Sequence, residues 1–190
     1  MKLFSAVFVF AISNAGYAAS DFDPSAYPVY ETCALCHGLF GDSAQTKFPK
    51  LAAQKPEYLE AQIRAFISGA RSNDRGQMVN IVADLSDDEI SLVVDWFASQ
   101  HPPAPAPLPQ GNRGEEIAEE LGCESCHGQS ELSGVPHLAA QHSAYLKKQM
   151  LDYRNGIRHT PAIARMHKDL LTIPDFDLGQ IADYFAAQQR

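Results

Sequence analysis

Apolar residues recur along this chain at helical intervals. Leu59, Ile63, Phe66 and Ile67 form one stripe, opened by Pro56 where a first-turn proline is tolerated and closed by Gly69 as a C-cap. Ser86-Asp87-Asp88-Glu89 reads as a capping box that starts a further helix with Ile90, Val93, Val94 and Phe97 on one side. Leu146, Met150 and Tyr153 repeat the first pattern up to Gly156, and Leu178, Ile181, Ala182 and Phe185 repeat the second. Ile117 and Leu121 mark a helix from Arg113 to about Leu121. No alternating stretch or Asn-Gly hairpin signal competes with these segments. The spacing predicts an all-α fold.

The resemblance between the two sets of helices extends to a repeat. Cys33-Ala-Leu-Cys36-His37 returns as Cys123-Glu-Ser-Cys126-His127 at an offset of 90. Pro49-Lys-Leu51-Ala-Ala-Gln54 meets Pro136-His-Leu138-Ala-Ala-Gln141 at 87, as do Tyr58, Gln62, Phe66, Gly69 and Arg71 with Tyr145, Gln149, Tyr153, Gly156 and Arg158. From Met78 the offset is 88, pairing it with Met166 and Trp96-Phe97 with Tyr184-Phe185. Small changes of loop length between matched blocks are the mark of a duplicated domain. Residues 20–100 and 111–190 are therefore read as two domains, each about eighty residues long, with a small core. Residues 101–110 carry five of the twelve prolines and read as a semi-rigid extended linker.

The chain opens with Met1-Lys2 and an apolar run from Leu3 to Ile12, followed by small residues at Gly16, Ala18 and Ala19. That order describes an export signal over residues 1–19, cleaved after Ala18 or Ala19. The run falls well short of the ~20 residues of a spanning helix. Net charge is -8, or -9 once Lys2 is lost, which argues against nucleic acid as a partner. Residues 20–100 carry 12 acids against 6 bases and residues 111–190 carry 11 against 8, so the halves differ in charge. Solvated helix faces account for this, and steering of different redox partners is the sharper alternative.

The repeated Cys motif uses every cysteine in the chain. C-x-x-C-H is the attachment signature of a c-type haem. Two thiols three positions apart on a helix share a face and suit thioether bonds to one porphyrin, and the following histidine supplies a proximal iron ligand. A thioredoxin-like redox pair expects alternating strands and helices, and a single four-thiolate zinc site is the other alternative. Neither explains the histidine that follows both pairs. Cys33, Cys36, Cys123 and Cys126 are thus the expected attachment points of two haem c groups, with His37 and His127 as proximal ligands.

For the sixth position, residues 20–100 contain a single methionine, Met78, and no histidine besides His37. Met78 is the natural distal ligand there. The second domain offers Met150, Met166, His137, His142, His159 and His167. Met166 is favoured as the repeat partner of Met78. Met150 falls on a helix face and reads as core, whereas His167 adjoins Met166 and competes with it for the iron. By default His137, His142, His159 and His167 itself read as surface or capping residues. His/Met ligation fills both axial positions, which points to electron transfer. Pro49 and Pro136 are candidates to accept the proximal ring N–H through their carbonyls, or are ordinary loop prolines. Arg71 and Arg158 read by default as exposed residues after helix caps, with haem propionates as the alternative.

These residues resemble the diheme cytochromes c4 from about Cys33 to the C-terminus. The likeness rests on the paired C-x-x-C-H-G motifs, the P-x-L-A-x-Q blocks, the Tyr-Leu-x-x-Gln helix with its following Gly-x-Arg, the late methionine and Leu-Ser-Asp-Asp-Glu-Ile. It implies two class I cytochrome c domains with neighbouring haems, and a periplasmic carrier, soluble or membrane-associated, that passes electrons from partners such as quinol-cytochrome c reductase toward a terminal oxidase. It also implies the thioether, proximal and distal roles given above, and moves Pro49 and Pro136 toward the carbonyl role. A related possibility is the diheme subunit of a dehydrogenase such as flavocytochrome c sulfide dehydrogenase. Three departures concern packing: Ala53 and Ala140 stand where the family commonly has glycine, residues 128–135 form a short connection, and Pro174 replaces the serine cap at Ser86.

Overall fold

The computed structural model of the protein describes residues 28–128, 132–158 and 167–190. The expected export signal at 1–19, His159 and Met166 lie outside the described residues. In the first half, α1 (Tyr30–His37) carries the Cys motif and is followed by α2 (Pro56–Ile67), α3 (Gln77–Val82) and α4 (Asp87–Ala98). In the second half, α5 (Gly114–Glu120), α6 (Glu124–His127) and α7 (Ser143–Arg154) lead to a 3-10 turn (Lys168–Leu171) and α8 (Asp175–Ala187). No strand occurs among the described residues, and none of their helices is long and apolar enough to cross a membrane.

Local sequence sets the helix ends. The capping box forms at α4: Ser86 Oγ accepts from the Glu89 N–H, and the Glu89 carboxylate accepts from the Ser86 N–H at 2.8 Å. α8 begins after Pro174 with no side-chain cap, as the replacement of serine implies. Asp175 and Asp177 in its first turn complement the helix dipole instead, and Asp175 pairs with Arg154. Gly69 follows α2 at φ 74°, a left-handed conformation suited to glycine.

Each half closes its own core. Leu59, Ile63 and Phe66 of α2 pack with Ile90, Val93, Val94 and Phe97 of α4, and Val82 completes the cluster from α3. In the second half, Leu146 of α7 meets Leu178, Ile181, Ala182 and Phe185 of α8 and Ala118 of α5. Met150 packs against this second cluster, the core role expected of it. Backbone contact fixes the crossing of α5 and α8, because a Cβ at Gly114 would lie 2.0 Å from the Gln180 carbonyl oxygen. The segment 101–109 has no regular structure, and its Ala106 N–H donates to the Ala186 carbonyl at 2.8 Å, laying the linker on the second half.

The halves meet through a polar interface with near-twofold symmetry. Gln54 donates to the His137 carbonyl and accepts from the His137 N–H, both at 2.9 Å. Its repeat partner Gln141 makes the reciprocal pair with the Lys50 carbonyl and N–H, both at 2.8 Å. Arg71 donates to Tyr145 Oη and Arg158 to Tyr58 Oη, each at 3.1 Å, and the oxygens of Gln62 and Gln149 each accept from both guanidinium groups. Asn73 and Asp152 are buried beside this group and bond to each other at 2.6 Å. Arg190 donates to the Ala52 and Ala139 carbonyls, an equivalent pair of the repeat. The default reading of Arg71 and Arg158 as exposed is corrected here: Arg158 is only 6% exposed, because each arginine turns into the facing domain.

Ala53 and Ala140 are also explained. Both adopt positive φ (51° and 55°), since their N–H groups donate to the Phe97 and Phe185 carbonyls at the ends of α4 and α8, at 3.0 Å each. A left-handed alanine costs on the order of 1–2 kcal/mol of steric strain. Part of that is offset by the smaller entropy that alanine loses on folding. Ala53→Gly and Ala140→Gly are each expected to raise unfolding free energy by about 0.5–1 kcal/mol, read by denaturant titration of the haem-loaded protein. Gln54→Ala and Gln141→Ala each delete two cross-domain hydrogen bonds and should cost about 2 kcal/mol. Calorimetry of the double variant is expected to separate one unfolding transition into two.

Candidate haem sites

α1 presents Cys33, Cys36 and His37 within little more than one helical turn. In the second half, Cys123 immediately precedes α6, which carries Cys126 and His127. Aromatic side chains from the last helix of each half brace these segments. Trp96 Nε1 donates to the Leu39 carbonyl at 2.7 Å and its ring stacks on Tyr30, with centroids 4.1 Å apart. Its repeat partner Tyr184 donates through its hydroxyl to Glu124. Cys33 and Met78 pack against the first core and Cys123 against the second, so the motif and the expected first distal ligand share one apolar environment.

The two histidines are held alike. His37 Nδ1 lies 2.8 Å from the Pro49 carbonyl oxygen, and His127 Nδ1 lies 3.0 Å from that of Pro136. With the N–H placed on Nδ1 to donate to each carbonyl, Nε2 is left with its lone pair, the form of the ring that can bind a metal. Burial lowers both pKa values below the ordinary histidine value, against the opposing effect of the carbonyl bonds, and so favours the neutral ring that a metal requires. The carbonyl role considered for Pro49 and Pro136 is thus the one the structure displays.

Thiol electrostatics separate the alternatives for the cysteines. Burial pushes Cys33 up to about 11 and raises Cys123 as well. Reactive redox cysteines have depressed values and stabilised thiolates, so a thioredoxin-like role is disfavoured. The two cysteine pairs belong to different halves, with Cys33 packed against the first core and Cys123 against the second, and no group of three or more His, Cys, Asp or Glu side chains able to hold a metal ion occurs among the described residues. A single four-thiolate zinc site is therefore excluded. Two thiols and one preoriented imidazole per half fit a covalently attached porphyrin, and in the second half Cys123, Cys126 and His127 line one cavity with Leu121, Leu170 and Ile173.

The rims of the two sites differ. Leu35, inside the first motif, is 81% exposed, and Phe40 just after it is 60% exposed. In the second motif Ser125 stands where the first has Leu35, and the exposed acids Glu115, Glu116, Glu119 and Glu120 precede that motif in the chain, with Glu124 inside it. Met78 lies in α3, where its N–H donates to Asp74 Oδ2. His142, read from the sequence as a surface or capping residue, has Nε2 2.8 Å from the Ser43 carbonyl in the other half. The repeated Gln54 and Gln141 were the available signal for this interface; His142 corresponds at the same offset of 87 to Lys55, whose Nζ donates across the interface to the Leu132 carbonyl at 3.0 Å, but the two side chains differ in type and gave no signal.

No protein-family model matches the chain. It is similar to cytochrome c4 of Pseudomonas aeruginosa, with 32% identity over 165 residues covering 80% of this chain and 81% of that protein. It is also similar to a thiosulfate dehydrogenase electron acceptor of Thiomonas intermedia, with 29% identity covering 95% of this chain and 90% of that protein. Among solved structures, a cytochrome c4 of Acidithiobacillus ferrooxidans superposes with a TM-score of 0.72 at 26% identity, covering 83% of this chain and 98% of that one. Two C-x-x-C-H segments with carbonyl-bound histidines, two helical cores and this likeness along most of the sequence lead to one conclusion: the chain belongs to the cytochrome c4 family, electron-transfer proteins rather than enzymes, built from two class I cytochrome c domains with two covalently bound haem c groups.

Proposed function

We propose that this chain is a periplasmic electron carrier, exported by a signal over residues 1–19, with domains at 20–100 and 111–190 joined by the linker at 101–110. Cys33 and Cys36 attach the first haem, and Cys123 and Cys126 the second. His37 and Met78 are the axial ligands of the first iron, and His127 and Met166 those of the second. The observation that carries this reading is the repeated bond from each motif histidine's Nδ1 to a proline carbonyl, which orients an imidazole for ligation in both halves.

Haem groups held by these cysteines and axial side chains would supply one-electron redox chemistry, taking electrons from a reduced redox protein and giving them to an oxidised one. A thioether as sixth ligand raises the potential and leaves no open position for a substrate. The exposed Leu35 and Phe40 at the first motif, and the exposed acids from Glu115 to Glu124 that precede and enter the second, support different partners for the two halves, with steering by charge at the second. Quinol-cytochrome c reductase as donor and a terminal oxidase as acceptor fit a respiratory placement, with soluble or peripheral membrane docking. The second reading is an electron-accepting subunit of a sulfur-compound dehydrogenase. It is favoured by the Thiomonas relative and by the likeness to a solved thiosulfate dehydrogenase assembly, of which this chain spans only about a third.

Haem counting on the purified protein, together with near-infrared spectra of its oxidised form, tests the carrier. Two haems per chain are expected, each contributing a methionine-to-iron band. Met78→Ala and Met166→Ala should each remove about half of the band intensity and lower the potential of the affected haem. A single haem, or a band unchanged in both variants, would sink the assignment.

A further inference from the structure

The second haem site contains an imidazole that the first lacks. His167 lines the same cavity as Cys123, Cys126 and His127. Its ring centre lies 5.9 Å from that of His127, with the planes tilted by 37°. An imidazole binds a transition metal at roughly 2 Å, so two imidazoles on opposite sides of one metal have ring centres on the order of 6 Å apart. The observed separation matches that arrangement.

His167 is also held in place. Its ring lies parallel to Tyr153 at 5.4 Å, with an angle of 4° between planes, and Arg158 covers the Tyr153 ring at 4.8 Å. Tyr153 packs against the second core, so the imidazole has a rigid support. Its chain neighbour on the following side begins the Lys168–Leu171 turn, whose Leu170 is buried in the same core. These contacts position the ring beside the cavity.

The first half has no equivalent. At the repeat offset of 88, His167 corresponds to Val79, and residues 20–100 contain no second histidine. The aromatic neighbour of the His37 ring is Phe48, edge-on at 6.0 Å, a side chain that cannot ligate. The asymmetry is therefore chemical, since one site has a single distal donor and the other has two adjacent in sequence.

We propose that His167 is a second distal ligand of the second haem iron, able to take the sixth position in place of Met166. The inference rests on the reading of Met166 as the resident ligand. It gives the second centre access to both His/Met and His/His ligation, whereas the first has only His/Met. Replacing a thioether by an imidazole withdraws the ligand that raises the potential, so the exchange lowers the potential of the second haem alone. No electron or proton need be supplied from elsewhere for the exchange when the ring enters as neutral imidazole: one iron–sulfur bond breaks and one iron–nitrogen bond forms.

The test uses the full haem-loaded chain and reads spin state and carbon monoxide binding as well as potential. In Met166→Ala the second haem should lose its methionine band yet stay low-spin, with a bis-imidazole electron paramagnetic resonance signature and no carbon monoxide adduct. Met78→Ala should instead leave the first haem high-spin and open to carbon monoxide. Met166→Ala/His167→Ala should open the second haem in the same way. Met166→Leu, which keeps the side-chain bulk, carries the same expectation if the alanine variant fails to load haem. A high-spin, carbon monoxide-binding second haem in the single variant would overturn the inference while leaving the carrier intact. A low-spin second haem that persists in the double variant would also overturn it, and a second haem missing from the unmutated protein would overturn both readings.

Discussion

The segment Pro49-Lys50 and its counterpart Pro136-His137 each hold two things at once. On one side the proline carbonyl accepts from the ring of the motif histidine, and one residue on, the backbone N–H and carbonyl are taken up by a glutamine from the opposite domain. The peptide that orients a motif histidine is thus also the peptide that docks the partner domain. Four hydrogen bonds by two glutamines would be an unremarkable interface on their own. Their placement means that the orientation of the motif histidines and the association of the domains share one piece of backbone. Backbone groups buried at such a contact must find partners, and the glutamine side chains, each offering a donor and an acceptor, satisfy both.

Around this pair the interface is polar to an unusual degree for two domains of one chain. Two guanidinium groups, two tyrosine hydroxyls, two glutamines, an asparagine and an aspartate occupy it, and Arg158, Asn73, Gln149 and Asp152 are buried. Buried charges are costly unless each hydrogen-bonding direction is met, and here the shared acceptors Gln62 and Gln149 meet both arginines. A greasy patch would hold the domains together in many orientations. A polar set of this kind is satisfied in one, which suits a protein whose two redox centres need a fixed relation.

Much of the fold was legible because it rests on local chemistry. The Ser86 capping box, the apolar faces of α2, α4, α7 and α8, the absence of a cap before α8, and the core role of Met150 all follow from residues within one or two turns of each other. The repeat extended that reach, because a residue informative in one half drew attention to its partner. Arg71 and Arg158 show where it ended: their spacing after a glycine cap was visible, but whether such a side chain faces water or another domain depends on which surface the second copy covers. His142 is a similar case, since its contact with Ser43 joins positions almost one hundred residues apart.

By itself the sequence determined the chemistry of the protein: two C-x-x-C-H segments on short helices, a second helical copy of the first, and donors suited to iron. Those properties are carried by residue type and short-range spacing, which survive any rearrangement of the two halves. Tertiary structure alone decided how the copies face each other, that Ala53 and Ala140 are driven to positive φ by carbonyls at the ends of α4 and α8, and that the His167 ring lies 5.9 Å from that of His127. Each of these depends on the distance between groups far apart in the chain, which is set only once the apolar faces have packed and the buried polar groups have found partners.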